Sequence, residues 1–217
     1  MMKNNNAVCY IVGAATVFDI SIDKRQDDMI IAADGGQKTL EKFGIMPDII
    51  VGDFDSSLCP ENIENVVKLS PKKDFTDTYK AVQIGENNGY SNFVIYGGLG
   101  DRLDHTIANI QIANELSKKG YNCKFVGNNE SAIVITNGKI SFDEKSTGVV
   151  SVFSLSDKSE SVCERGLKYT IENHTLTNIF PLGVSNEFVG ERAEISVESG
   201  SLLVIFSNSA TPLVLPF

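Results

Sequence analysis

Histidine is almost absent from this chain of 217 residues, with only His105 and His174 present. A metal site built on imidazole is therefore not expected. Cysteine is nearly as sparse. Cys9, Cys59, Cys123 and Cys163 are widely scattered, with no CxxC pair and no histidine at zinc spacing, so they read as reduced thiols of a cytoplasmic protein. Positive charge is in the minority: 19 Lys and Arg stand against 28 Asp and Glu, a formal net charge of -9. With no basic cluster, this excludes a nucleic-acid footprint. No apolar run is long enough to span a bilayer, and residues 1–6 are too polar for a signal peptide, so no membrane partner is expected. There is no GxxxxGK(S/T) phosphate loop. The one glycine cluster is not GxGxxG, so a dinucleotide fingerprint is missing too.

What is present falls into two patterns. From Ala7 to about Gly127, apolar runs alternate with helix-like periods. Val8–Val12, Met29–Ala33, Ile49–Val51, Val66–Leu69, Phe93–Tyr96 and Lys124–Val126 read as strands, and Gln37–Phe43, Thr76–Asn87 and Leu103–Lys119 as helices. That alternation predicts a mostly parallel sheet with helices on its faces. After about Asn128, short strands separated by turn residues take over. Ser131–Thr136, the hairpin signal Asn137-Gly138, and Lys139–Phe142 come first. Val149–Leu155, Gly166–Thr170, Ala193–Val197 and Leu202–Phe206 continue the series. The fold class expected is α/β followed by an antiparallel β-sandwich, with domains at 1–127 and 128–217.

Four segments of the first half end in acid or glycine at the carboxyl ends of strands, where open α/β sheets bind ligands. Gly52-Asp53-Phe54-Asp55-Ser56 leaves a buried strand. Its two carboxylates repel unless a positive ion sits between them, and Mg2+ is the obvious hard cation, held by one or two carboxylates while bridging phosphates. The same residues are also compatible with a plain strand end and helix cap. Ala33-Asp34-Gly35-Gly36 enters a helix, where backbone N–H groups can approach a phosphate. Asp74-Phe75-Thr76-Asp77 opens another, with Asp74 or Thr76 as cap, or Asp74 and Asp77 as further metal carboxylates. Tyr96-Gly97-Gly98-Leu99-Gly100-Asp101-Arg102-Leu103-Asp104-His105 is the most informative. Arg102 there can grip phosphate oxygens bidentately, or simply bond the neighbouring carboxylates.

Taken in this order and spacing, the four motifs resemble the thiamine pyrophosphokinase (thiamine diphosphokinase) family, bacterial type, over almost the whole chain. The resemblance implies transfer of a diphosphoryl group from ATP to the hydroxyl of thiamine, releasing AMP, with Mg2+ as cofactor. It also implies a homodimer with active sites between subunits. Carried over motif by motif, Asp53, Asp55 and Asp77 correspond to the metal carboxylates, and with Arg102 and Asp104 they form the catalytic set. Asp34, Gly35, Gly36, Asp74, Gly97, Gly98, Gly100, Arg102 and His105 fall on the ATP side. Asp104 falls on the thiamine side as well. In the second half, Gly166-Leu167-Lys168-Tyr169 and Gly183-Val184-Ser185-Asn186-Glu187-Phe188 match two further motifs, which puts Ser185 and Asn186 on thiamine. An ordinary turn between strands would look the same.

Two positions depart from the family pattern. Asp101 stands where a small residue is usual, and Asn128-Asn129-Glu130 stands where an acid is usual. Tyr169 replaces a tryptophan found in some members. Two other functions fit a related fold: a diphosphokinase for another hydroxymethyl heterocycle of the pterin type, and a thiamine-binding sensor without turnover.

Overall fold

The computed structural model describes residues 6–53, 65–70, 72 and 74–213. Contacts divide the chain into two compact units. Of the described residues, one contains those from Asn6 to Asn109 together with Phe125–Asn128, and the other contains Ile110–Lys124 and those from Asn129 to Leu213.

In the first unit the chain forms β1 (Cys9–Val12), β2 (Met29–Ala33), α1 (Gly36–Lys42), β3 (Ile49–Gly52), β4 (Val66–Lys68), α2 (Asp77–Asn87) and β5 (Asn92–Tyr96). It then enters α3 (Leu103–Lys118) and β6 (Asn122–Val126), elements within which the division between units falls. Strands β5-β1-β2-β3-β4 lie side by side, all parallel, with Tyr10 opposite both Ile30 and Val94, Ala32 opposite Ile50, and Val51 opposite Val67. Val8, Tyr10 and Val12 share one apolar cluster with Ile30, Ala32, Ile50 and Val94. The alternate residues Cys9, Ile11, Ile31, Phe93 and Ile95 are fully buried as well. Burial on both faces is why these strands read as continuous apolar runs rather than as alternating ones.

The strand order carries the functional consequence. From β1 the chain builds β2, β3 and β4 outward on one side, and β5 then returns to the other side of β1. The carboxyl ends of β1 and β5 therefore border a topological switch point, the crevice where ligands bind in open α/β sheets. Gly36 shows how closely the first helix meets this point: a Cβ there would lie 1.8 Å from the Val12 carbonyl oxygen. Helix α2 is capped by Thr76, whose Oγ1 accepts from the Tyr79 N–H at 3.1 Å, and Asp77 in its first turn faces the positive end of the macrodipole.

The second unit holds β7 (Glu130–Thr136), β8 (Lys139–Phe142), β9 (Val149–Ser154), β10 (Lys158–Arg165), β11 (Ile171–Thr177), β12 (Gly183–Glu187), β13 (Ala193–Ser196) and β14 (Ser201–Ser207). Strands β12-β9-β14-β7 form one antiparallel layer and β11-β10-β13-β8 another. Val150, Val152, Val204 and Phe206 from the first pack with Ile140, Phe142, Val162 and Ile195 from the second. Phe142 meets Phe188 and Phe206 edge-on, each with ring centroids 5.0 Å apart. This is the expected antiparallel sandwich, and the first unit holds the expected mostly parallel sheet.

Two local expectations fail. Asn137-Gly138 does not close a hairpin, because β7 pairs with β14 and β8 with β13. The turn instead carries the chain from one layer to the other. Asn137, at φ +48, bonds the Gly200 corner where the chain crosses back, with Asn137 N to Gly200 O at 3.1 Å and Gly200 N to Asn137 Oδ1 at 2.9 Å. Gly166–Thr170 is not a strand either: the strands run on either side of it, as β10 and β11. Polarity hides both from a reading of the sequence, since β10 buries only Ser159, Val162 and Glu164, two of them polar. Among the described residues, no helix is long and apolar enough to cross a membrane.

Candidate active site

A cavity of about 250 Å3 opens at the switch point of the first unit. Ala14 and Ala15, just beyond β1, form one wall, and Gly97, Gly98 and Gly100, just beyond β5, form the next. Asp34 contributes from the end of β2, Thr76 and Asp77 from the head of α2, and Arg102, His105 and Asn109 from the start of α3. Three of the four acid- or glycine-bearing motifs thus send residues to one place.

The glycines are what allow this approach. Gly97 lies at φ +62, and a Cβ on it would sit 2.7 Å from the Gly13 carbonyl oxygen and 2.9 Å from that of Ala15. The two loops are joined by backbone bonds, Gly13 N to Tyr96 O at 2.8 Å and Ala15 N to Gly97 O at 3.1 Å. Asn109 is buried, and its Nδ2 donates to the Gly98 carbonyl at 2.6 Å. Thr106 Oγ1 accepts from Gly100 N–H at 3.2 Å. The first turns of α3 therefore hold the glycine loop open. Asp34, at φ +53, donates its N–H to Val51 O at 2.8 Å, so its side chain departs from a fixed point at the sheet edge.

Arg102 and Asp104 form a forked pair, Nε to Oδ1 at 3.2 Å and Nη2 to Oδ2 at 2.6 Å, with both side chains 65% exposed. The Asp104 bond, assisted by the field of Asp34, pushes the guanidinium pKa further up. The bond from Arg102 holds the Asp104 carboxyl below its ordinary range. An exposed pair of this kind is weak and exchangeable, so a phosphate can take the carboxylate's place on Arg102. Asp101 turns toward the loop after β1, where Thr16 N–H and Oγ1 both donate to its Oδ2, at 2.7 and 2.9 Å. Those two bonds keep its carboxyl pKa low.

The remaining expected residues fall elsewhere. Asp53 follows β3 and is half-buried, and Gly35, Gly36, Asp53, Asp74 and Asp104 are not among the residues lining the cavity. Asp55 lies outside the described residues. Among the described residues, no three or more His, Cys, Asp or Glu gather closely enough to hold a metal ion. Sequence reasoning missed Ala14, Ala15 and Asn109. The first residues after β1, Gly13–Phe18, have neither acid nor a glycine run, although the strand order required them to border the crevice.

In the second unit the two late motifs lie together. Leu167 bridges to Phe188, Lys168 N donates to Glu187 O at 3.0 Å, and Lys168 Nζ reaches Glu187 Oε1 at 2.8 Å. Asn186 is buried and fully engaged. Its Oδ1 accepts from Tyr169 N and Glu187 N, while its Nδ2 donates to Tyr169 O at 2.7 Å and Glu164 Oε2 at 2.9 Å. Ser185 is exposed, at φ +59, within a register shift of β12 against β9, and bulges of that kind re-aim side chains. Tyr169 is 60% exposed, with Lys168 Nζ 5.6 Å from its ring centroid.

Comparison with known proteins gives a consistent picture. The family model for "Thiamin pyrophosphokinase, catalytic domain" matches residues 24–125, and that for "Thiamin pyrophosphokinase, vitamin B1 binding domain" matches residues 137–202. Thiamine pyrophosphokinase of Bacillus subtilis (strain 168) is 26% identical over 186 residues, covering 82% of this chain and 86% of its own. Thiamin pyrophosphokinase 1 of Caenorhabditis elegans is 28% identical over 188 residues, covering 80% and 76%. The crystal structure of the thiamine pyrophosphokinase from Bacillus subtilis superposes with a TM-score of 0.82 at 23% identity, covering 92% of this chain and 98% of that one. At that identity the superposition speaks for the fold.

Proposed function

The chain belongs to the thiamin pyrophosphokinase family, and we propose that it transfers the diphosphoryl group of ATP to the hydroxyl of thiamine, giving thiamine diphosphate and AMP. The observation that carries this is the cavity at the β1/β5 switch point, where Asp34, Asp77, Arg102 and His105 meet around a glycine loop. Acid, base and open backbone in one crevice suit a polyphosphate and its cation. The match of the second half to a vitamin B1 binding domain disfavours the pterin-type enzyme. Acids retained in the catalytic half disfavour a sensor without turnover.

In the reaction, the thiamine hydroxyl oxygen bonds to the β-phosphorus in line with the bond to the α,β-bridging oxygen, which breaks and leaves with AMP. Arg102 exchanges Asp104 for phosphate oxygens and fixes them. Backbone at Gly97, Gly98 and Gly100 comes close to the triphosphate because no Cβ intervenes. His105, which lines the cavity, is the candidate to take the hydroxyl proton, with Asp104 the alternative. Most of the acceleration comes from holding the reactants in line and from charge already in place.

Carboxylates at the crevice are hard oxygen donors, which fits Mg2+, an ion that needs one or two carboxylates beside the substrate's phosphates. Asp53, Asp55 and Asp77 are the residues assigned to hold it, and when bound it would neutralise charge on the phosphate oxygens. Asp34, Gly35, Gly36 and Asp74 are assigned to the nucleotide, and Ser185 and Asp104 to thiamine, with Asn186 serving the thiamine side by holding the segment that presents Ser185. Residues 1–127 would serve ATP and metal, and residues 128–217 thiamine, in a cytoplasmic homodimer with active sites between subunits.

The test is to incubate the purified protein with ATP, thiamine and Mg2+ and to separate the products. Thiamine diphosphate and AMP in equal amounts are expected, and both should form about 10²- to 10³-fold more slowly with Asp77→Asn. ADP with thiamine monophosphate would mean that the wrong phosphorus has been assigned.

A further inference from the structure

Three separate parts of the first unit meet at Thr16. Its N–H and hydroxyl both donate to Asp101 Oδ2. Its carbonyl accepts from Asn128 Nδ2 at 3.0 Å, and the other end of that amide, Oδ1, accepts from Phe18 N–H at 2.8 Å. The stretch from Gly13 to Asp28 contains no helix or strand, and structureless connections of such length inside a compact unit usually serve a function. Ala14 and Ala15, at its start, line the cavity. Gly13 and Ala15 bond the end of β5 and the loop after it, and Val17 packs in the core, while the polar groups of Thr16 and the Phe18 N–H are tied to two side chains far away in sequence.

Both side chains are unusual for their places. Asp101 lies at φ +50, in the left-handed region that favours glycine. The chain keeps a side chain there against its backbone preference, and that side chain grips Thr16 with charge-assisted bonds. At position 128, a carboxylate could accept from Phe18 but could not donate to Thr16, so only an amide serves both groups. Asp101 and Asn128 therefore act on the same loop.

We propose that Asp101 and Asn128 are positioning residues that pin Gly13–Phe18 as a fixed wall of the nucleotide-binding cavity, so that binding need not first order this segment. The ordering cost is met in folding instead, which tightens nucleotide binding without touching the transferred group. The inference rests on the reading of the cavity as a nucleotide site.

The experiment uses the full chain with Asp101→Gly, Asp101→Asn and Asn128→Asp. It measures AMP and ATP binding by calorimetry, nucleotide KM and kcat, and amide exchange at Thr16 and Phe18. Glycine suits φ +50, so Asp101→Gly removes the grip without straining the turn. It is expected to raise nucleotide Kd and KM about 10-fold, leave kcat within about 2-fold, and speed Thr16 exchange. Asp101→Asn retains the acceptor and is expected to preserve all three. Asn128→Asp keeps the Phe18 bond and loses the Thr16 one, and should give an intermediate loss. If wild type binds the nucleotide and Asp101→Gly binds it equally well, the positioning role is overturned while the nucleotide reading stands. If wild type binds neither AMP nor ATP, the reading itself falls and takes this role with it.

Discussion

The two units of this chain handle polar groups in opposite ways. In the first, the chemistry-bearing side chains stand on loops at strand ends and in the first turn of α3: Asp34 is exposed, and Arg102 and Asp104 are each 65% exposed and paired with one another. In the second, the polar centre is sunk into the sandwich, with Asn186 4% exposed, Glu164 fully buried, and a bond of 2.9 Å from the Asn186 amide to the Glu164 carboxyl. An exposed ion pair can be traded for a ligand at little cost. A buried, satisfied amide cannot, because moving it orphans every partner it holds. The lesson is that the Arg102–Asp104 pair can exchange for a ligand, whereas Asn186 is locked into its segment and leaves Ser185 exposed on the bulge beside it.

The sharpest way to break this contrast is to exchange one group in each unit. Asp77→Asn, at the cavity, should lower turnover about 10²- to 10³-fold, as removal of a preorganised electrostatic partner does elsewhere. Its circular dichroism and thermal midpoint should stay near wild type. Asn186→Ala should do the reverse. By stranding the Tyr169 backbone and Glu164, it should cost about 2–3 kcal/mol of stability in urea unfolding, and an unchanged midpoint would show that the amide is not architectural. Ser185→Ala should raise thiamine KM with no shift in the midpoint, separating recognition from support within one motif.

A smaller effect is expected where the first unit relies on local structure. Thr76→Ala removes the cap of α2 and should cost about 1 kcal/mol, a loss that Thr76→Ser should largely restore. The smallest is a pH effect in the second unit. Burial pushes the Glu164 carboxyl pKa up, partly offset by the bond from Asn186. The unfolded chain thus gives up this proton near its ordinary value of 4.5, while the folded chain retains it to higher pH. In that window the folded state binds more protons, so stability falls as pH rises through it, and the loss persists above. Glu164→Gln should therefore raise the thermal midpoint at pH 8 and leave it unchanged at pH 4. An equal gain at both would mean packing, not ionisation, is responsible.

The same contrast explains what could be read beforehand. Strands such as Met29–Ala33, buried on both faces, announce themselves by apolar content alone, and the acid and glycine at their ends mark the rim. The sandwich strands β10 and β11 carry Lys, Ser, Glu, Asn and His on open faces, so no apolar run betrays them. Asn137-Gly138 has the right chemistry for a tight turn, but which strands flank it as partners depends on pairings with residues beyond 190. The wall formed by Ala14 and Ala15 was illegible for a related reason. Its residues have no reactive groups, and only the order of the strands places them.

The most direct test of the central claim follows the phosphorus atoms themselves. ATP labelled separately at its β- and γ-phosphorus is supplied with thiamine and Mg2+, and the label in the thiamine product is counted. Diphosphoryl transfer predicts both labels in equal amounts on thiamine and neither in the AMP. Thiamine carrying the γ label alone, with the β label left on the nucleotide, would contradict the account.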